Sequence, residues 1–291
     1  MRNARAITLA AAATLVLGVP LAVAWLWRPQ PAAGPCVVAN RSLLADVPET
    51  SGLAVSRRTP GVLWTHNDSG NEAVLFAIDT AGALRARVRL PMPTRDWEDV
   101  SAGRCLSGPC LYIADIGDNR QLRPSVQIYR VPEPAPGDAE TAAPEAFNAT
   151  YEDGPHNAEA MFVAGEDLVI ITRDRTGGVY RASVAPAAGR DLTFRRVGQL
   201  GLAAVTDAEA FNEEASVVVR TSHEALLYRT ADLLRGGHAP YLRIPLDGLR
   251  EQQGEGVAID GNMLFLSSEG QPLTGGGAFI SLRCELPTVA R

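Results

Sequence analysis

Five stretches of the chain carry two oxygen-bearing side chains two residues apart, each pair at the start of an apolar segment. One set of aligned positions holds a serine and four glutamates, and the set two residues earlier holds carboxylates and amides. The first set is Ser51, Glu98, Glu159, Glu209 and Glu255, and the second is Glu49, Asp96, Asn157, Asp207 and Gln253. Ca²⁺ takes roughly six to eight oxygen ligands of this mixed kind. Converging on one axis, these residues would form two rings suited to binding a cation.

Two interpretations of the rings stay open. In the first, a central Ca²⁺ cancels the repulsion that crowded carboxylates exert on one another, while Mg²⁺ fits less well because it needs a tight octahedron. In the second, the side chains bind backbone amides at strand starts or waters that fill a polar channel, with arginines as partners, as buried polar groups commonly do. The first interpretation predicts a metal site at Ser51, Glu98, Glu159, Glu209 and Glu255.

The elements that must position these residues are short strands. Residues two apart on a strand point to the same face, so each pair lies on one side of a strand start. The aligned positions recur every 46 to 61 residues, with apolar runs separated by turn residues. Four short antiparallel strands in about 40–50 residues are typical of a propeller blade. The sequence predicts an all-β, five-bladed β-propeller over residues 36–291, with six blades as the alternative if the longest interval hides a degenerate blade.

The ends of the chain are predicted to close this ring. The fifth repeat offers three strands, and residues 36–44 are free to supply the fourth, which would leave no unpaired sheet edge. Four cysteines permit three pairings, and spacing alone does not choose among them. Cys105 and Cys110 bracket a turn, which favours a local bond and leaves Cys36 with Cys284.

The ends of the second strands carry a further polar set at one mouth of the channel. Binding groups of rigid scaffolds concentrate on such loops, so we expect these residues to contact an anionic or polyhydroxylated ligand, or a partner protein. Turn capping is the competing role for each Asp and Asn. The set is Asn67, Asp68, Asp115, Asp118, Arg173, His223 and Glu269. We find no serine–histidine–carboxylate set, zinc motif or phosphate loop in the sequence, and we assign no catalytic residue.

Composition and the first residues indicate export. The formal net charge of −6 provides no basic face, which argues against nucleic-acid binding.

Residues 1–27 are predicted to be a signal or anchor, because Arg2 and Arg5 precede the apolar run 6–27. The length of the run favours an uncleaved membrane anchor, and cleavage after Ala24 is the alternative. Residues 28–35 form a Pro-rich tether, so residues 36–291 are expected outside the cytoplasm, anchored or secreted.

Parts of the chain resemble known families. The sequence segments 96–100, 112–119 and 156–160 resemble segments of exported bacterial propellers that are largely uncharacterised. The serine and glutamate ring is similar to that of the calcium-activated nucleotidase (apyrase) family, whose five-bladed propeller holds a central Ca²⁺. The likeness covers the ring and not the nucleotide-binding loops, so it implies the cation more than nucleotide hydrolysis. We hypothesise a binding module with Ca²⁺ in its channel; the alternative is a metal-dependent hydrolase of phosphoesters, lactones or glycans.

Overall fold

The computed structural model describes residues 34–185, 190–270 and 276–287. The chain divides into two units, residues 1–31 and 32–291, and the described residues belong to the second. The predicted anchor, residues 6–27, lies outside the described residues. Within the described ranges, no helix is both long and apolar enough to cross a membrane.

The described chain is almost entirely β-strand, and the all-β prediction is confirmed. Its only helical segments in those ranges are one turn of α-helix, α1 (Thr230–Leu233), and a 3₁₀ turn, η1 (Asp247–Leu249). The strands are β1 (Cys36–Leu44), β2 (Thr50–Val55), β3 (Val62–Asn67), β4 (Val74–Asp79), β5 (Leu84–Arg89), β6 (Asp99–Cys105), β7 (Gly108–Asp115), β8 (Val126–Pro132), β9 (Glu145–Tyr151), β10 (Ala158–Ala164), β11 (Asp167–Thr172), β12 (Gly178–Ser183), β13 (Asp191–Gln199), β14 (Val205–Phe211), β15 (Ser216–Thr221), β16 (Glu224–Arg229), β17 (Leu242–Pro245), β18 (Gln253–Asp260), β19 (Met263–Glu269) and β20 (Gly277–Cys284).

These strands form antiparallel groups of four. Three groups are separate sheets, with the orders β2-β3-β4-β5, β14-β15-β16-β17 and β1-β20-β19-β18. The other two, β6 to β9 and β10 to β13, join into one eight-stranded sheet because β9 pairs in parallel with β13. The long interval after β8 therefore contains a single strand, β9, and not the four strands of an additional blade.

The first strands of the groups meet one another. β2 contacts β6, β6 contacts β10, β10 contacts β14, β14 contacts β18, and β18 returns to β2. An apolar core lies between each neighbouring pair of groups; the one between the first two, for example, contains Trp64, Trp97 and Tyr129. The strands inside each sheet are therefore buried on both faces and carry continuous apolar runs, whereas outer strands such as β1, β5 and β13 alternate between buried and exposed residues. The arrangement is propeller-like.

The first and last strands of the described chain lie side by side. β1 pairs antiparallel with β20, and Cys36 stands directly opposite Cys284. These two cysteines form a disulfide bond with an S–S distance of 2.06 Å, and Cys105 bonds Cys110 across the turn between β6 and β7. The sequence separation of 248 residues means that the first bond links the two ends of the unit.

Candidate metal centre

Four of the five inner strands begin with irregular pairing, whereas β6 pairs regularly with β7. Register shifts occur near the start of β2, β10, β14 and β18. A bulge leaves a residue unpaired and re-aims its side chain. In β10 that residue is Glu159, whereas in β14 it is Thr206. In these two strands the bulge, and not the similarity of the sequences, therefore sets which positions are equivalent.

Glu209 does not lie in the ring in which the sequence places it. Ser51 Oγ donates to the carbonyl oxygen of Glu98 at 2.7 Å, and Thr206 Oγ1 donates in the same way to Glu255 at 3.1 Å. Thr206 is thus the counterpart of Ser51, and the predicted alignment of the fourth repeat is shifted by three residues. Glu209 lies further along β14, where its carboxylate accepts hydrogen bonds from Ser101 Oγ at 2.5 Å and Ala102 N–H at 3.2 Å.

The corrected alignment identifies a carboxyl pair that our sequence analysis missed. Asp99 follows Glu98 in the second repeat as Asp207 follows Thr206 in the fourth. The two aspartates are fully buried. Their Oδ2 atoms accept the N–H groups of Met161 at 2.7 Å and Val257 at 2.5 Å, each on the next inner strand. Burial raises the pKa of Asp207 to about 7, and burial and the charge of Asp207 raise the pKa of Asp99 well above its usual range. Asp207, predicted for the second ring, instead lies inside the protein with Asp99.

Three carboxylates from two repeats converge at the mouth. Asp68 follows β3, while Asp96 and Glu98 precede β6, and one oxygen from each lies within 4.8 Å of the others. Asp96 is held by its backbone: its N–H donates to Asp115 Oδ1 at 3.2 Å, and its carbonyl accepts the Gly117 N–H at 2.9 Å. Gly117 fits because it has no side chain, since a Cβ there would lie 2.1 Å from Glu98 Oε1. The loop backbone therefore closes directly over the carboxylates.

The Glu98 side chain is largely buried and lies among other carboxylates. Glu98 is 7% exposed, and its side chain has no hydrogen bond or ion pair within the part of the chain that the structure describes. Burial first, and then the charges of Asp68, Asp96 and Glu255, raise its pKa to about 9, while Arg173 lowers it. Unpaired buried charge is costly, so without a counter-ion Glu98 holds a proton at neutral pH. A divalent cation between the three carboxylates would replace that proton.

The surroundings of the cluster are also acidic. Burial, together with the charges of Glu255, Asp68 and Glu49, raises the pKa of Glu269 to about 7. Arg173 lies nearby, but it forms an ion pair with Glu159. The mouth therefore holds an excess of carboxylates, and the donor set consists of oxygen atoms, as Ca²⁺ prefers.

Neither family models nor curated proteins match this chain. Among solved structures it is similar to the computationally designed Ika8 protein, with 9% identity, a TM-score of 0.34, and coverage of 75% of this chain and 55% of that one. A chain of the Mitotic Checkpoint Complex matches with 9% identity, a TM-score of 0.37, and coverage of 91% and 68%. The match thus spans just over half of the designed chain, and neither likeness carries an argument about function.

Two residues predicted for the mouth and one predicted for the second ring have structural partners instead. Asn67 Oδ1 accepts the Glu49 N–H at 3.0 Å, which fixes the start of β2. The imidazole of His223 is largely exposed and pairs with Asp247 at 2.8 Å. Gln253 hydrogen-bonds the side chain of Glu255. The structure brings none of these three into the Asp68, Asp96 and Glu98 cluster.

Arg123, which our sequence analysis overlooked, organises the loop over the cluster. Its buried guanidinium pairs with Asp115 at 2.8 Å and donates to the Gly117 carbonyl at 2.7 Å, while its N–H donates to Asp118 Oδ2 at 2.7 Å. The N–H of Asp118 donates to Asn157 Oδ1 at 2.7 Å. Asp115, Asp118 and Asn157 therefore support the loop. The signal in the sequence is an arginine close to two aspartates and a glycine, at residues 115–123.

Proposed function

We propose that this chain is an exported five-bladed β-propeller that binds a divalent cation, with Ca²⁺ preferred, at one mouth of its channel. The bound cation would contact a ligand or a partner protein there. Five groups of four strands and the closed cycle of contacts among their first strands support the blade count. The pairing of β1 with β20, with a disulfide bond between them, supports closure of the ring by the N-terminal strand.

The unpartnered Glu98 carboxylate carries the proposal. A buried carboxylate normally has hydrogen bonds or a cation, and this one faces two further carboxylates. We assign the cation to Asp68, Asp96 and Glu98, with Glu255 and Glu269 beside it. This set differs from the ring predicted from the sequence, because the Ser51 hydroxyl binds a backbone carbonyl and Glu159 pairs with Arg173.

The cysteines support export. All four are in disulfide bonds, and such bonds persist mainly in oxidising compartments outside the cytoplasm. Together with the apolar run at residues 6–27, this favours a domain held at the outer side of a membrane, or one secreted after cleavage following Ala24.

A metal-dependent hydrolase is the second candidate, and Glu269 favours it. Without a cation, burial and the neighbouring carboxylates raise the pKa of Glu269 to about 7. A bound cation would favour the ionised form, and a carboxylate beside it is suited to accept a proton from a metal-bound water. Assaying p-nitrophenyl phosphate, lactones and p-nitrophenyl glycosides with Ca²⁺ tests this candidate. Turnover that is lost in Glu269→Gln, while the variant still binds Ca²⁺, would establish it; no turnover on any of the three would reject it for these substrate classes.

Cation binding is tested by calorimetry and thermal unfolding of the full-length chain in mild detergent after chelation, with Ca²⁺ or Mg²⁺ restored. We expect Ca²⁺ to bind and to raise the melting temperature of the wild type, and Glu98→Gln to lose both effects. Glu209→Gln is the matched control, because Glu209 is an equally buried inner-strand glutamate that lies outside the cluster. Equal loss in both variants, or no binding to the wild type, would refute the proposed site.

A further inference from the structure

A second feature of the same mouth is a pocket rich in arginine. It has a volume of about 400 Å³ and adjoins the cluster, since Asp96 and Gly117 line it. Its other walls are formed by Arg95 and by the loop that follows Gly117, including Arg120 and Arg123. Basic side chains therefore stand on one side of the proposed cation site.

The pocket wall is a built structure. Arg123 ties the loop to Asp115 and to Gly117 from below, and Asn157 of the third group holds the Asp118 N–H. The backbone N–H of Arg95 donates to Asp115 Oδ2 at 2.8 Å, so both sides of the pocket are fixed to one buried carboxylate. Buried contacts thus fix the backbone of Arg95 and the loop that carries Arg120.

Arg95 and Arg120 themselves have no anionic partner. Both are exposed, and within residues 34–185, 190–270 and 276–287 their guanidinium groups form no ion pair or hydrogen bond. They remain unpaired although Asp96 borders the same pocket. A guanidinium presents a planar fork of donors that matches a carboxylate or another oxyanion.

We infer that this pocket binds the carboxylate of a small acidic ligand, whose oxygens also reach the cation. The inference rests on the proposed function, because the cation supplies part of the attraction. Arg95 and Arg120, together with the divalent cation, attract an anion, while the carboxylates around the mouth favour an anion with a single negative charge. A phosphate ester carries nearly two negative charges at neutral pH and would meet Glu49 and Glu269 near the same mouth.

The test uses calorimetry on the full-length, Ca²⁺-saturated chain with four probes: D-glucuronate, acetate, D-glucose and inorganic phosphate. We expect both carboxylates to bind, glucuronate more tightly, and glucose and phosphate to bind at least about tenfold more weakly. Binding of phosphate as tight as that of glucuronate would overturn the choice of a carboxylate.

Two variants locate the binding. Arg95→Gln and Arg120→Gln should each weaken glucuronate binding at least about fivefold while leaving Ca²⁺ affinity within about twofold of the wild type. Arg195→Gln, an exposed arginine on β13, is the control and should change neither. Retained Ca²⁺ binding with unchanged glucuronate affinity in the first two variants refutes this inference alone. Absence of Ca²⁺ binding to the wild type refutes both this inference and the proposed function.

Discussion

Replacement of Glu209 by glutamine tests the buried carboxyl groups of the inner strands. Glu209 is 2% exposed, and burial raises its pKa from 4.5 to about 8, against the lowering effects of Ser101, Arg57 and Ala102. Because its pKa is higher in the folded state, the folded protein binds this proton more tightly than the unfolded chain. The stability from that proton is complete below pH 4.5 and is lost as the pH rises through 8.

The magnitude follows from the size of the shift. Each pH unit between the two pKa values costs about 1.4 kcal/mol, so Glu209 should lower the free energy of unfolding by roughly 3–4 kcal/mol between pH 5 and pH 8. In Glu209→Gln the amide nitrogen can donate to Ser101 Oγ, and the amide oxygen can accept the Ala102 N–H. The variant should therefore keep the fold and lack this part of the pH dependence.

Urea unfolding at pH 5, 6, 7 and 8 in the presence of a chelator measures the effect. Other buried carboxyls also titrate, so the informative quantity is the difference between the wild type and Glu209→Gln. Glu140→Gln, an exposed change, should follow the wild type. Parallel pH profiles for the wild type and Glu209→Gln would refute the argument, because they would show that Glu209 is ionised throughout or is not buried.

Three further changes have defined outcomes. Arg220→Met should lower the free energy of unfolding by about 3–5 kcal/mol in urea titrations. The reason is that the buried Glu251 carboxylate, which lies 2.7 Å from the Arg220 guanidinium, would lose its partner. A loss below about 1 kcal/mol would contradict this prediction. Gly117→Ala should weaken Ca²⁺ binding at least about tenfold in calorimetry while the far-UV circular dichroism stays unchanged, because the added Cβ would occupy the space of the Glu98 carboxylate. An unaltered Ca²⁺ affinity would refute the close approach of residue 117 to Glu98. Replacing Cys36 and Cys284 together by serine should cost about 2–5 kcal/mol of unfolding free energy, and an unchanged urea midpoint would show that the bond does not constrain the chain.

The extent to which the sequence predicts the site differs between repeats. At Glu159 and Glu255 the polar residue and the bulge coincide, so alignment by letters places them near the mouth. At Glu209 the alignment by sequence fails. Asp-Ala-Glu-Ala of the fourth repeat resembles Asn-Ala-Glu-Ala of the third, but the bulge of the fourth repeat lies at Thr206 and not at Glu209. The position of a bulge depends on pairing with the next strand and on bonds to the neighbouring group, and neither is visible in a local pattern.

The sequence alone determined the strand content, the groups of four and the presence of polar residues at inner strand starts, because turn residues and apolar runs act locally. Tertiary structure decided which carboxylates meet. Asp68 comes from the end of one strand, whereas Asp96 and Glu98 come from the start of another, and packing between the first two groups brings them together. It also paired Asp99 with Asp207 across the inner strands. Such contacts join residues far apart in the chain, and burial then sets their charge, so neither follows from spacing.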